Sequence, residues 1–234
     1  MTREARFEIL DQFLGYGDPV NARIIFVLIE EAGSLGPSDR EPQADAYVER
    51  RQAKYLLFED WEKEGQEDHS RTTIRLRSFA ERMLVSQGVI KATDINGHSD
   101  FELNQYFAGF VFFSNLWPLP NPRLRSWSEK NSEFLSPYES RADYKKKYIN
   151  QKQWIGRMKS LHELVLKNRQ DPTILFMCKH FLDFEDYKDI SAIFGKTTEA
   201  SEKSFHQENV TKSRQPPGLI FTYHPLAWKS FDRL

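Results

Sequence analysis

Short apolar runs alternate along the chain with longer stretches of helical periodicity. The short runs are rich in β-branched and aromatic residues, which predicts strands. They are residues 24–29, 109–114, 173–178 and 219–223. Apolar positions three and four apart predict helices at residues 7–14, 44–64, 72–87 and 154–165. Because these helical stretches are long enough for crossovers between strands, the pattern predicts a parallel sheet covered by helices on both faces.

The same pattern indicates a single domain. A chain of 234 residues is long enough for one sizeable core and lies within the usual size of an α/β domain. We therefore expect residues 1–234 to form a single-domain, three-layer α/β/α fold with a four-stranded, mainly parallel sheet. Residues 115–122 contain three prolines and cannot continue the second strand, so they are expected to form a rigid surface loop.

Polar side chains follow three of the predicted strands at the point where each ends. Glu30 and Glu31 follow the first strand, Asn115 follows the second, and His224 follows the last. Carboxyl ends of parallel strands meet at one edge of a sheet, where ligands bind, so these side chains are expected to face one crevice. A carboxylate, an amide and an imidazole there can act as base, hydrogen-bonding group and proton donor.

Each of these residues also has an ordinary structural explanation. A glutamate suits the first turn of a following helix, asparagine is common in turns, and His224-Pro225 would suit the end of a strand. Their joint placement after separate strands favours the functional interpretation. Because neighbouring side chains of a strand point to opposite faces, only one of Glu30 and Glu31 is expected to face the crevice.

Composition and charge narrow the classes of function. The net charge of -1 gives no long-range attraction to polyanions, so any nucleic-acid contact requires a local basic patch. The single cysteine, Cys178, allows neither an intramolecular disulfide nor a cysteine-based metal site. No run approaches the roughly 18 apolar residues of a membrane helix. We therefore expect a cytoplasmic protein with no cofactor, no membrane association and no obligate protein partner.

Three segments resemble motifs of the uracil-DNA glycosylase superfamily. The first runs from Gly17-Asp18-Pro19 through the strand to Glu30-Glu31-Ala32-Gly33, where the family has a turn carrying the residue that positions water. The second is Phe112-Phe113-Ser114-Asn115, and the third is Phe221-Thr222-Tyr223-His224-Pro225. In this order they cover nearly the whole chain. The resemblance implies a uracil-DNA glycosylase-like fold and a hydrolase that cleaves N-glycosidic bonds in DNA.

The resemblance also implies a role for each strand end. Asn115 would read the edge of a base extruded from the DNA. His224 would donate to the base oxygen on which negative charge develops. Glu30 or Glu31 would hold the attacking water and stabilise the cationic sugar.

Further candidate contacts rest on the same resemblance. The phenylalanine with which the family stacks the base is not evident, and Tyr47 or Trp117 is the candidate to replace it. Leu226 falls where the family places a side chain that wedges into the gap left by the base, although packing in the core explains it equally well. The candidates for DNA phosphate contacts are the basic residues Arg123, Arg125 and Lys229.

Departures from the family pattern widen the range of substrates that we expect. Ile29 stands where the motif has its first glycine and Ala32 where it has proline, so the expected substrate is uracil or a modified pyrimidine, including a bulky modified cytosine of phage DNA. DNA repair and antiviral defence both remain open. One alternative is a nucleic-acid-binding module of the same fold without glycosylase activity. Another is a small-molecule hydrolase, against which the chain lacks a Gly-x-Ser-x-Gly elbow, a Walker-type loop and a His-Glu-x-x-His motif.

Overall fold

The protein is an α/β fold, seen in a computed structural model that describes residues 1–29, 35, 38–57, 71–91, 109–120, 127–177, 182–194 and 219–221. Its strands are β1 (Gly15–Gly17), β2 (Ile24–Leu28), β3 (Tyr55–Leu56), β4 (Val111–Asn115), β5 (Thr173–Phe176) and β6 (Leu219–Phe221). Its α-helices are α1 (Arg3–Gln12), α2 (Glu41–Glu49), α3 (Arg71–Ser86), α4 (Arg141–Tyr144), α5 (Trp154–Val165) and α6 (Phe184–Phe194). Two π-helical segments, Asn131–Leu135 and Lys145–Ile149, lie on either side of α4.

The described strands form one sheet in the order β3-β1-β4-β2-β5-β6. From β4 to β6 all neighbours are parallel, which confirms the mainly parallel sheet. The described part of the chain has six strands rather than the four expected. The two additional strands, β1 and β3, are three and two residues long and extend the sheet beyond β4. Such short strands contain no apolar run that a sequence pattern could reveal.

Helices cover the sheet on both faces, as predicted. Side chains alternate along β2, so Ile25 and Val27 pack into a cluster with α1, α5 and α6. Ile24 and Phe26 point to the opposite face and pack under α3. All four of these side chains have 0% exposure, which is typical of a parallel strand with helices on both sides.

The predicted helix 44–64 is wrong between residues 50 and 57. The helix α2 begins at Glu41 and ends at Glu49, and the chain then forms β3 at Tyr55–Leu56. The main-chain N–H of Leu14 donates to the carbonyl of Lys54 at 2.7 Å, and Tyr55 packs against Phe112 of β4. Pairing with the sheet thus outweighs the local helical pattern. Residues 58–64 lie outside the described residues.

The expected surface loop after β4 is buried where the structure describes it. The residues from Leu116 to Pro120 are all buried, and Leu116, Trp117 and Leu119 belong to the cluster shared with α1 and α5. The N–H groups of Leu116 and Trp117 donate to the carbonyls of Leu28 and Ile29, each at 2.7 Å. Two further hydrogen bonds therefore continue the pairing of β4 with β2 before the prolines end it.

Replacement of Gly15 by alanine should strongly destabilise the protein. Gly15 has a φ of +146°, and an added Cβ would lie 1.8 Å from the carbonyl oxygen of Phe113 in the neighbouring strand. Because that atom is backbone, the β1–β4 pairing must shift, and we expect a loss of at least about 3 kcal/mol in the free energy of unfolding. The matched control is Gly156→Ala in α5, where nothing lies within 4 Å of the new Cβ. It should stabilise by up to about 1 kcal/mol. Urea unfolding of both variants measures this, and equal effects would contradict the close approach.

Candidate functional site

The carboxyl ends of four neighbouring parallel strands lie at one edge of the sheet. Leu28 of β2 is in register with Asn115 of β4, and Val27 is in register with Phe176 of β5. Phe176 is in turn in register with Phe221 of β6. The strands β2, β4 and β6, which lead to Glu30, Asn115 and His224, therefore end at the same edge of the sheet, with β5 between β2 and β6.

The order of these strands locates the crevice more closely. After β2 the chain adds β4 on one side of it and later adds β5 on the other side. In open α/β sheets, ligands bind outside the carboxyl ends of the strands at such a reversal of strand order. Here the reversal lies between β2 and β5, beside Ile29 and Met177, where the N–H of Met177 donates to the carbonyl of Val27 at 2.8 Å.

Asn115 is the one predicted strand-end residue that the structure describes. It is the last residue of β4 rather than the first residue after the strand, and it is 7% exposed. It shares a sheet face with Val111 and Phe113, the face covered by α3. Within the described part of the chain its side-chain amide makes no hydrogen bond. The amide therefore keeps its donors and its acceptor available for a ligand at the carboxyl edge.

The preceding residue, Ser114, is a polar group that the sequence pattern missed. Its side chain has 0% exposure, and its hydroxyl has no hydrogen-bond partner among the described residues. Leaving a buried hydroxyl unpaired costs about 1–3 kcal/mol, so such groups are uncommon in folded proteins. Strand alternation directs Ser114 to the face opposite Asn115. Its position within an apolar strand gave no signal of this.

Arg157 fixes the main chain at Asn115. It lies on α5, is 4% exposed, and donates from Nε to the carbonyl oxygen of Asn115 at 2.7 Å. Its Nη1 donates to the carbonyls of Leu10 and Asp11, at 3.0 Å and 2.7 Å. These two carbonyls belong to the last turn of α1, whose acceptors have no partner within the helix. One guanidinium thus joins the C-terminal end of α1 to the carboxyl end of β4.

Arg157 interrupts an apolar helix face, a signal that is visible in the sequence. Apolar residues of α5 recur at Trp154, Met158 and Leu161, and these form its buried face. Arg157 lies next to Met158 and one turn after Trp154, within the same stripe. A charged residue at such a position is rarely buried without specific partners.

Asp11 brings a carboxyl group to the same region. Burial raises the pKa of this carboxyl above its ordinary value of 3.8, while a hydrogen bond from the Tyr148 hydroxyl and the charge of Arg157 lower it. Burial also holds the pKa of the Tyr148 hydroxyl well above its ordinary value of 10.0, and the Asp11 charge adds to that effect. Asp11, which is half-buried, therefore forms a connected network with the buried Tyr148 and Arg157 behind the end of β4.

The two candidate stacking residues have different environments. Trp117 is 5% exposed, and the guanidinium of Arg141 lies 5.6 Å from the centre of its ring. Tyr47 is half-buried on α2, and the Arg51 guanidinium covers its ring at 3.6 Å. Arg51 also donates to the hydroxyl of Tyr16 in β1 at 2.6 Å. Tyr47 is thus connected through Arg51 to β1, whereas Trp117 is bonded directly to the main chain at the end of β2.

The remaining predicted site residues lie outside the described residues. They are Glu30, Glu31, His224, Leu226, Arg123, Arg125 and Lys229. Among the residues that the structure describes, no group of three or more His, Cys, Asp or Glu side chains could hold a metal ion. A search of the same residues found no helix with the length and apolar character needed to cross a membrane.

Comparisons with known proteins do not assign the chain to a family. No protein-family model matches it, and the searches of curated proteins and of solved structures returned no significant match. The functional interpretation therefore depends on the sequence motifs, the sheet topology and the contacts of Asn115.

Replacing Arg157 with methionine should destabilise the fold. The change leaves three backbone carbonyls without their donor and removes the cation beside Asp11, so we expect a loss of about 3–5 kcal/mol. The control is Arg169→Met, an exposed arginine shortly after the C-terminal end of α5, with an expected effect within about 0.5 kcal/mol. Urea unfolding at neutral pH compares the two. Similar stabilities would show that the Arg157 contacts do not hold the strand end.

Replacing Tyr148 with phenylalanine should have a cost that depends on pH. Because the pKa of Asp11 is raised in the folded state, its favourable contribution to folding is present at low pH and is lost as the pH rises through that pKa. Without the Tyr148 hydroxyl the folded-state pKa rises further, so the loss at neutral pH is larger. We expect about 1.5–3 kcal/mol at neutral pH and about 1 kcal/mol or less near pH 3.

Urea unfolding at the two pH values measures this difference. Tyr138→Phe is the control, because the Tyr138 hydroxyl donates to the uncharged Gln153 side chain at 3.4 Å. Its cost should change little with pH. A pH-independent cost for Tyr148→Phe would mean that its hydroxyl does not stabilise an ionised Asp11.

Proposed function

We propose that this protein is a DNA glycosylase of the uracil-DNA glycosylase type that removes uracil or a modified pyrimidine and leaves an abasic site. One observation carries the proposal: β4 ends in the nearly buried Asn115, whose amide makes no hydrogen bond with the described residues, beside the parallel strand that leads to Glu30. A base-reading amide requires this combination of burial and unused hydrogen-bonding capacity.

The arrangement of the sheet supports the proposal that residues at three strand ends act on one nucleotide. In sequence, Glu30 directly follows Ile29, whose carbonyl is fixed by the N–H of Trp117, and His224 is three residues after the end of β6. β4 and β2 are neighbours, and β6 is two strands from β2, so the ends of β4 and β6 are three strand spacings apart, roughly 14 Å at the usual spacing. Side chains that reach inward from these ends would contact the base and the sugar of one extruded nucleotide.

The chemistry proposed for these residues is hydrolysis of the glycosidic bond. The bond between the base nitrogen and the sugar C1′ breaks, and its electron pair leaves with the base. His224 donates a hydrogen bond to the base oxygen on which charge develops, while the carboxylate of Glu30 or Glu31 orients water and accepts its proton as the water oxygen bonds to C1′. The products are a free base and an abasic sugar.

A second candidate is a nucleic-acid-binding module of the same fold without the chemistry. The environment of the stacking candidates favours it, because Trp117 is 5% exposed and the Arg51 guanidinium covers the ring of Tyr47. A protein that only binds DNA needs no open pocket for an extruded base. It would bind DNA with a strong dependence on salt and release no base.

Base release from DNA tests the proposal. The parent protein is incubated with genomic DNAs of differing base modification, and mass spectrometry identifies any released base. Asn115→Ala should reduce release by about 100-fold or more, because it removes hydrogen bonds made to the reacting base. The control is Asn21→Ala, an exposed asparagine that precedes β2 at the opposite edge of the sheet and bonds Asp18 at 2.6 Å. It should retain parental activity.

Variants of the other two strand ends complete the experiment. Glu30→Gln and Glu31→Gln identify which carboxylate acts, because only one of them should abolish release, and His224→Ala should also abolish it. If Asn115→Ala and these variants all release base as the parent does, the crevice is wrongly assigned. If the parent binds DNA and releases no base from any substrate, the binding module replaces the glycosylase.

A further inference from the structure

A short helical segment beside the site carries an unusual local excess of positive charge. Between Arg141 and Lys152 the chain has five basic residues and one acidic residue, although the whole chain has a net charge of -1. This segment begins with α4 and the π-helical turn Lys145–Ile149 that continues it. A patch of this kind is the local feature that a nearly neutral protein needs to attract a polyanion.

The fold directs this charge outward. Tyr144 and Tyr148 lie on the inner side of the segment, are buried, and stack on each other with ring centres 5.2 Å apart. The side chain of Ser140 caps the start of α4 by accepting from the N–H of Asp143 at 3.2 Å. With the tyrosines held inside, Lys145 and Lys146 are exposed to solvent.

Nearby carboxylates neutralise only part of the charge. Lys147 pairs with Asp143 at 2.9 Å, and Lys152 pairs with Asp189 at 2.7 Å. Lys145 and Lys146 form no ion pair with the part of the chain that the structure describes. Their two charges therefore remain available to an external anion.

Arg141 connects this surface to the candidate site. It begins α4, one helical turn before Lys145, and its guanidinium lies 5.6 Å from the centre of the Trp117 ring. Trp117 is two residues after Asn115 and donates to the carbonyl of Ile29. Lys145 follows Arg141 by one helical turn, an axial rise of about 6 Å. In the same segment the Tyr148 hydroxyl donates to Asp11, whose carbonyl shares Arg157 with the carbonyl of Asn115.

We infer that Arg141, Lys145 and Lys146 form a basic face that binds the phosphates of a DNA strand whose base enters the Asn115 crevice. This inference rests on the proposed function and adds the surface along which the strand runs. The contacts would be electrostatic and independent of sequence, as phosphate contacts generally are. Trp117 would hold the Arg141 guanidinium in place at the end of the face nearest the crevice.

The test compares two double variants that remove the same charge from opposite edges of the sheet. Lys145→Ala/Lys146→Ala removes two charges of the basic face. The control, Lys167→Ala/Arg169→Ala, removes two exposed charges beyond the C-terminal end of α5, where the N–H of Arg169 donates to the carbonyl of Val20 ahead of β2. All four side chains are exposed, so the urea midpoints of both variants should match the parent.

Binding of fluorescein-labelled oligonucleotides is measured by anisotropy across a range of salt concentrations. For Lys145→Ala/Lys146→Ala, the slope of log affinity against log salt should fall by about 1.8 for duplex DNA and about 1.4 for single strands. Affinity should fall equally for all sequences, and the control should keep the parental slope. Equal slopes for the parent and Lys145→Ala/Lys146→Ala, or an equal loss in the control, would overturn the inference.

Two further measurements separate this inference from the proposed function. Base release is assayed in parallel. A reduced salt slope for Lys145→Ala/Lys146→Ala, with no base release by any of the proteins, supports the basic face and rejects the glycosylase. Base release with an unchanged salt slope supports the glycosylase and rejects the basic face. Anionic phospholipid vesicles are the competing polyanion. Loss of vesicle binding in Lys145→Ala/Lys146→Ala, with unchanged binding to oligonucleotides, would assign the basic face to a membrane surface and overturn the inference. Absence of any DNA binding by the parent overturns both proposals.

Discussion

The pairing of β2 with β4 on one side and β5 on the other is the constraint on which the rest of the structure depends. β2 is enclosed by these two strands, and its side chains from Ile24 to Val27 supply the cores on both faces of the sheet. Its carbonyls also accept the hydrogen bonds that extend β4 through Trp117. The carboxyl edge is therefore well defined up to Ile29, one residue before the pair of glutamates.

Much of this framework could be predicted from the sequence, because its strands and helices have a local periodicity of apolar residues. The apolar runs identified the parallel strands, and helical periodicity identified α3 and α5 within one or two residues of their ends. The wrong helix prediction around β3 has a different cause. Its two residues become a strand only because Gly15 and Tyr16 offer them a backbone partner, and Gly15 can approach the end of β4 only because it has no Cβ. Such a contact between distant segments leaves no local periodicity.

The site was less predictable than the fold. Asn115 was identified because it interrupts an apolar run, and the structure adds that it is nearly buried at the end of the strand. Arg157 was missed although it interrupts an apolar helix face in the same way, since its partners are backbone carbonyls of α1 and β4 rather than side chains. Ser114 was missed because a small polar residue in a strand looks ordinary. Burial and the absence of a partner, which distinguish it, are properties of the folded state.

The central position of β2 also affects how the protein folds during synthesis. β2 leaves the ribosome about 150 residues before β5, which at usual translation rates corresponds to about 7–30 s. During this interval one edge of an almost wholly apolar strand has no partner, and such an edge can pair with other chains. The sheet is built from contacts distant in sequence, which favours slow folding. The same strand that organises the finished protein therefore presents an unpaired edge to other chains until β5 has been synthesised.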